Sequence, residues 1–96
     1  MFSISRSTRL AKSLDGGILL DVRQGAMFSM NPVGTRIIEL LRDPLDSLAL
    51  TAKISQEFGV SEETIRGDVE EFLATLGKQG LLDQKNAEPS STQGSL

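Results

Sequence analysis

The strongest constraint in this sequence is a change of period at Asn31-Pro32. Before it, apolar character alternates: Ile18, Leu20 and Val22 share one parity against Leu19 and Asp21, and Phe28 and Met30 share one against Met27 and Ser29. That is strand spacing, in which successive side chains point to opposite faces. After it, Val33, Ile37, Leu40 and Leu41 fall on one side of a helix. Asn is a strong N-cap, and proline at the first helical position loses nothing, since its missing N–H would have no intrahelical partner. A chain that passes once from strands to helices is expected to be α+β.

The strands read as a hairpin. Gly17–Val22 and Ala26–Met30 flank Arg23-Gln24-Gly25, a short connection containing glycine. Thr8–Leu14, with Leu10 and Leu14 apolar, reads as a third, outer strand, with Asp15-Gly16-Gly17 as its turn. The first helix is expected to end near Arg42, because Asp43 precedes Pro44 and is pushed out of the α region. A second runs from Leu48 to Phe58, with Ser47 as cap, Leu50, Ile54 and Phe58 on one face and Gly59 as its stop. Ser61 caps a third, over 62–79, that Gly80 ends, and Ile65, Val69, Phe72, Leu73 and Leu76 form its apolar stripe. Gly67 and Gly77 read as tolerated interruptions. Leu81-Leu82 is expected to dock the end of this helix. The polar segment 85–96 is expected to be a disordered tail. The expected fold is a two- or three-stranded antiparallel sheet followed by three helices, as one domain over residues 1–84.

Several function classes are closed. The chain has no Cys and no His, which removes Ser-His and Cys-His nucleophiles, most zinc sites, haem ligation and disulfides. Asp68, Glu70 and Glu71 are near in sequence, but Glu70 and Glu71 occupy adjacent, non-facing helix positions and read as solvated surface. No enzyme, cofactor or metal is expected. Residues 48–79 have helix-turn-helix spacing, which makes a winged-helix DNA-binding or regulatory protein the first rival. Its recognition helix would open with Glu62, Glu63, Asp68, Glu70 and Glu71 around a single Arg66, and the chain carries net charge −3, so phosphate contact is disfavoured. No stretch reaches the roughly 20 apolar residues that span a bilayer, and no signal peptide is evident. A cytoplasmic location is expected.

What remains is a strand edge. A short hairpin beside a helix leaves unpaired N–H and C=O groups, and no proline or lysine guards Ala26–Met30. Such an edge can take an extended peptide as a further strand. It can also pair with a second copy of itself, so a strand-paired homodimer is a further alternative. The basic arm of Arg6, Arg9 and Lys12 offers steering of an acidic ligand.

The stretch LLDVRQGAMFSMNPVGTRIIELL, residues 19–41, resembles the signature of the PqqD family, named for pyrroloquinoline-quinone synthesis protein D. Leu20-Asp21, Gly25, Phe28, Asn31, Gly34, Ile37 and Leu40-Leu41 match in register, as do Leu50, Ile54, Phe58, Val60, Asp68-Val69, Phe72-Leu73, Leu76 and Gly80-Leu81-Leu82. The resemblance covers roughly residues 5–83. Met30 stands where Leu is usual, and Ile38 where the family often has Trp. The resemblance implies a winged-helix-like recognition element that binds the leader of a ribosomally made precursor peptide and presents it to a separate modifying enzyme. Such enzymes include radical S-adenosylmethionine proteins and leader peptidases. Mapped onto this chain, the peptide would lie between Ala26, Met27, Phe28, Ser29 and Met30 and a helix wall of Ile65, Asp68, Val69, Phe72 and Leu73. The expected state is a monomer or weak homodimer.

Overall fold

A computed structural model describes residues 1–84, so the expected tail over 85–96 lies outside the described residues. The order of elements is β1 (Phe2–Ile4), β2 (Thr8–Ser13), β3 (Gly16–Asp21), β4 (Ala26–Met30), α1 (Pro32–Leu40), α2 (Ser47–Phe58), α3 (Glu62–Lys78) and β5 (Leu82–Gln84). It is an α+β fold: β2, β3 and β4 form an antiparallel sheet in chain order, with three helices after them.

The alternation seen in the sequence resolves into an inner and an outer sheet face. Leu19 is 1% exposed and Asp21 is fully buried, so their parity faces the helices, and Ile18 and Val22 face outward. Asp21 holds the β3–β4 connection: its carboxylate accepts from the Arg23 N–H at 3.1 Å and Gln24 Nε2 at 2.7 Å, and its carbonyl accepts from the Gly25 N–H at 2.8 Å. These bonds are what make a buried carboxylate tolerable. The turn before β3 differs from the expectation. Leu14 is fully exposed, and Gly16 and Gly17 belong to the strand. Gly16 has φ +142°, and a Cβ there would lie 1.9 Å from the Met30 carbonyl oxygen, so only glycine lets β4 turn into α1 this closely.

The caps explain where the helices start. Asn31 Oδ1 accepts from the Gly34 N–H at 2.8 Å, and Ser61 Oγ from the Thr64 N–H at 3.1 Å. The α2 cap is Asp46, which accepts from the Ala49 N–H at 2.7 Å, and Ser47 is the first helical residue. Both are good N-cap types, and the chain uses the earlier one. Gly59 closes α2 in the left-handed conformation.

One apolar core joins the inner sheet face to all three helices, through Leu19, Ile37, Ile38, Leu41, Leu50, Ile54, Ile65, Val69, Leu73, Leu76 and Leu81. Phe58, expected on the core face of α2, is 40% exposed at the helix end. The sequence pattern missed β1 and β5, which pair antiparallel with Phe2 opposite Gln84. Three residues are too few to show a period. β1 also bonds to the α1–α2 connection, with Phe2 and Leu45 exchanging bonds of 2.7 and 2.9 Å and the Ile4 N–H reaching the Leu41 carbonyl at 2.8 Å. Leu82 therefore belongs to a strand rather than simply ending α3. Among the described residues, no helix is long and apolar enough to cross a membrane.

Candidate functional site

β4 is an end strand. β3 pairs with it on one side, and among the described residues no strand pairs with it on the other. Phe28 and Met30 turn inward, half-buried against the core, while Met27 and Ser29 are exposed on the outer face. Ala26 is half-buried at the start of the strand.

Just past β4, from Asn31 onward, lies a cleft of about 300 Å³. Asn31, Val33, Gly34 and Ile37 line it from the start of α1, and Ile65, Asp68 and Phe72 from α3. The spacing of that second set, i, i+3, i+7, is one helical stripe. Gly34 fixes the width between the helices: a Cβ there would meet Phe72 Cε1 and Cζ at 3.2 Å. The ring of Phe72 therefore lies directly on the α1 backbone.

The five helix positions expected as a wall divide in three. Ile65, Asp68 and Phe72 line the cleft. Val69 is fully buried and belongs to the core. Leu73 turns toward a separate depression shared with Phe2, Gly77 and Leu82, on the β1–β5 side. Asn31, Gly34 and Ile37 were matched in the family signature without being assigned to the site. The i, i+3 spacing of Gly34 and Ile37, with Asn31 as the cap beside them, was the signal that brings them together.

The cleft's charged lining residue is Asp68, so its field suits a positive or hydrogen-bond-donating group. The basic arm does not serve it as one unit. Lys12 is paired with Glu39 at 2.8 Å, and Arg36 bridges Glu57 at 2.7 Å and Glu39 at 3.3 Å. This network ties β2, α1 and α2 together. Hydrogen bonding to Lys12, helped by Arg36, holds the Glu39 carboxyl below its ordinary range, and hydrogen bonding to Arg36 does the same for Glu57. Arg6 and Arg9 instead gather with Arg42 around another depression, lined also by Ile4, Ser5 and Thr8.

Three solved structures share this fold. TbiB1 in complex with the TbiA(beta) leader peptide is 28% identical, with TM-score 0.74, covering 88% of this chain and 98% of that one. Lasso peptide synthetase B1 complexed with its leader peptide is 20% identical, with TM-score 0.70, covering 86% of this chain and 98% of that one. The PqqD truncation of Methylobacterium extorquens PqqCD, described as a stand-alone recognition element for ribosomally synthesized and post-translationally modified peptides, is 16% identical, with TM-score 0.71, covering 86% and 88%. At their identities, the last two speak for the fold alone. No curated protein sequence matches the chain. The model of the family described as coenzyme PQQ synthesis protein D matches residues 16–82, from the first residue of β3 to the first of β5, and the chain belongs to the PqqD family.

Proposed function

We propose that this chain binds the leader region of a ribosomally made precursor peptide as an added strand along β4, and presents it to a separate modifying enzyme. The carrying observation is the unpaired edge of β4, followed directly in the chain by Asn31 at the mouth of a cleft between α1 and α3 lined by Ile65, Asp68 and Phe72. Backbone hydrogen bonds to residues 26–30 supply affinity that is indifferent to sequence, and the cleft supplies selectivity. An apolar guest side chain would sit against Phe72, Ile65 and Val33, with a basic or donor group near Asp68. Val69, buried in the core on the same helix, supports that wall from behind. The leader-peptide complex of the 28%-identical TbiB1 supports the same class of guest. Radical S-adenosylmethionine proteins and leader peptidases are the enzyme types that would receive it, with the chain itself doing no chemistry.

The test is titration of isotopically labelled protein with the peptides encoded beside its gene. Amides of 26–30 should shift and gain protection from exchange, together with those of Ile65, Asp68 and Phe72. Absence of binding by every neighbouring peptide sinks the reading, as does a salt-dependent preference for duplex DNA. Peptide-independent pairing of β4 with a second copy would make the edge a dimer contact instead.

A further inference from the structure

The basic residues of the chain are unevenly partnered. Lys12 and Arg36 pair with Glu39 and Glu57. Arg6, Arg9, Arg23 and Arg42 are exposed, and among the described residues none of them is in an ion pair, although acidic residues outnumber basic ones in the chain. The topology brings these arginines to one end of the three-stranded sheet. Thr8, Asp21 and Ala26 stand opposite one another across β2, β3 and β4. At that end Arg6 lies in the turn before β2, Arg9 is the second residue of β2, and Arg23 lies in the β3–β4 turn.

Arg6, Arg9 and Arg42 line a depression of about 350 Å³ together with Ser5 and Thr8. Arg9 Nη1 donates to the carbonyls of Arg6 at 3.2 Å and Thr8 at 2.9 Å, which holds its guanidinium over the turn. The nearby carboxylates do not neutralise this end. Asp21 is buried and engaged by its own turn. Asp83 lies in a neighbouring depression that shares Arg6 and Arg42, and neither it nor Asp43 is in an ion pair among the described residues. The other end of β4 is charged the opposite way. There Met30 leads to Asn31 and the cleft whose charged lining residue is Asp68.

We propose that these arginines are a second subsite for the guest peptide, taking Asp or Glu side chains that lie just beyond its β4-paired stretch at the Ala26 end. The subsite rests on strand addition at β4 and names the class of guest, a leader with an acidic flank. Guanidinium forks match carboxylates in geometry as well as charge. A strand added to β4 lies three strand spacings from β2, about 14 Å. At about 3.3 Å per extended residue, a flank of about four to eight residues crosses from the Ala26 end, past Arg23, to Arg6 and Arg9. The paired stretch tethers the flank, so even a weak carboxylate contact adds to affinity. A free edge accepts a strand of either direction. Arginines at one end and Asp68 at the other let the guest's charge select one of them.

The test uses the full chain, N-acetyl-triglutamate, inorganic phosphate, and the leader encoded beside the gene, both native and with every Asp and Glu changed to Asn and Gln. In labelled protein, triglutamate at millimolar concentration should shift the amides of 5–9 and the side-chain Nε–H signals of Arg6, Arg9 and Arg42. Arg6→Gln with Arg42→Gln, both at exposed positions, should lose these shifts and keep the melting temperature. That variant should bind the native leader about fivefold or more weakly than wild type does, and the neutralised leader equally well. Lys53→Gln with Lys78→Gln removes the same charge elsewhere and should leave leader affinity unchanged. The proposal is overturned if triglutamate leaves the arginines unmoved, if the arginine variant binds the native leader as wild type does, or if the lysine variant weakens it equally. A leader that pairs with β4 but carries no acidic residue beyond the paired stretch also overturns it. So does phosphate moving the same signals at lower concentration than triglutamate, which would mark a small-anion site instead. Triglutamate shifts in a chain whose β4 amides no leader moves would strike strand addition and leave the carboxylate site standing.

Discussion

The ring of Phe72 rests on the bare backbone of Gly34, where a Cβ would stand 3.2 Å from two of its carbons. Two helices far apart in sequence thus meet through a missing side chain, at the floor of the cleft. Gly34→Ala adds a methyl that the ring must yield to, and Phe72, being half-buried, yields toward the cleft. The gain in helix propensity, up to about 1 kcal/mol, offsets part of the crowding. Melting should move by only a few degrees, while leader-peptide affinity, followed by fluorescence anisotropy, falls several-fold. Unchanged affinity would mean that the ring does not shape the guest's seat.

Gly16 and Gly67 should answer the same substitution in opposite ways. Alanine at Gly16 sets a Cβ against the backbone of Met30 at positive φ, and neither can retreat cheaply. Gly16→Ala should cost more than about 3 kcal/mol in urea unfolding. A Cβ at Gly67 meets open space, so Gly67→Ala should be neutral or stabilising by up to about 1 kcal/mol.

Asp21 should prove structural through its acceptor oxygens. Asp21→Ala leaves the Arg23 N–H and the Gln24 side chain without their partner, a loss of about 1–3 kcal/mol in chemical unfolding. Asp21→Asn keeps one acceptor for Arg23 and can pair with Gln24 once that amide turns over, so it should recover most of the stability. Equal losses in the two variants would show that charge, not hydrogen bonding, is what the turn requires.

The Lys12–Glu39–Arg36–Glu57 network gives stability a mild acid limb. Both carboxyls are held below their ordinary values when folded. Their contribution is therefore complete above the normal carboxylate range and lost as pH falls through the depressed values. Arg36 and Glu57 side chains are 38% and 39% exposed, so solvent screening keeps their pair below about 1 kcal/mol. Melting temperature against pH should show a shallow decline on the acid side, flatter in Glu57→Gln and in high salt.

Legibility in the sequence followed the length of each element. The helices, the glycine stops of α2 and α3, the Asn31 and Ser61 caps and the strands read at 17–22 and 26–30 were legible, because several residues repeat a period there. Asp46 and Ser47 are both competent caps side by side, and only the backbone path chooses between them. β1 and β5 were hidden because their partners are distant and each is three residues long. At the candidate site, periodicity put Ile65, Val69, Phe72 and Leu73 on one stripe. Dividing that stripe into cleft and core needs the position of α1, which Gly34 sets and no helical period encodes. The outer face was misleading for a related reason: Ile18, Leu20 and Val22 are the more apolar parity, yet the buried set is Leu19 with the hydrogen-bonded Asp21.

The pairing of Phe2 with Gln84 has a consequence for how the chain reaches its native state. The β2–β3–β4 meander closes through short turns and can form from local encounters, but β1 must wait for a strand near the far end of the described chain. Closing so long a loop is an entropic cost met only once the helices between have drawn the two segments together. During synthesis, Phe2 and the strand it begins stay without their sheet partner until residues 82–84 have left the ribosome. The small sheet is therefore expected to close late in folding, and its amides should exchange with solvent ahead of those of β3.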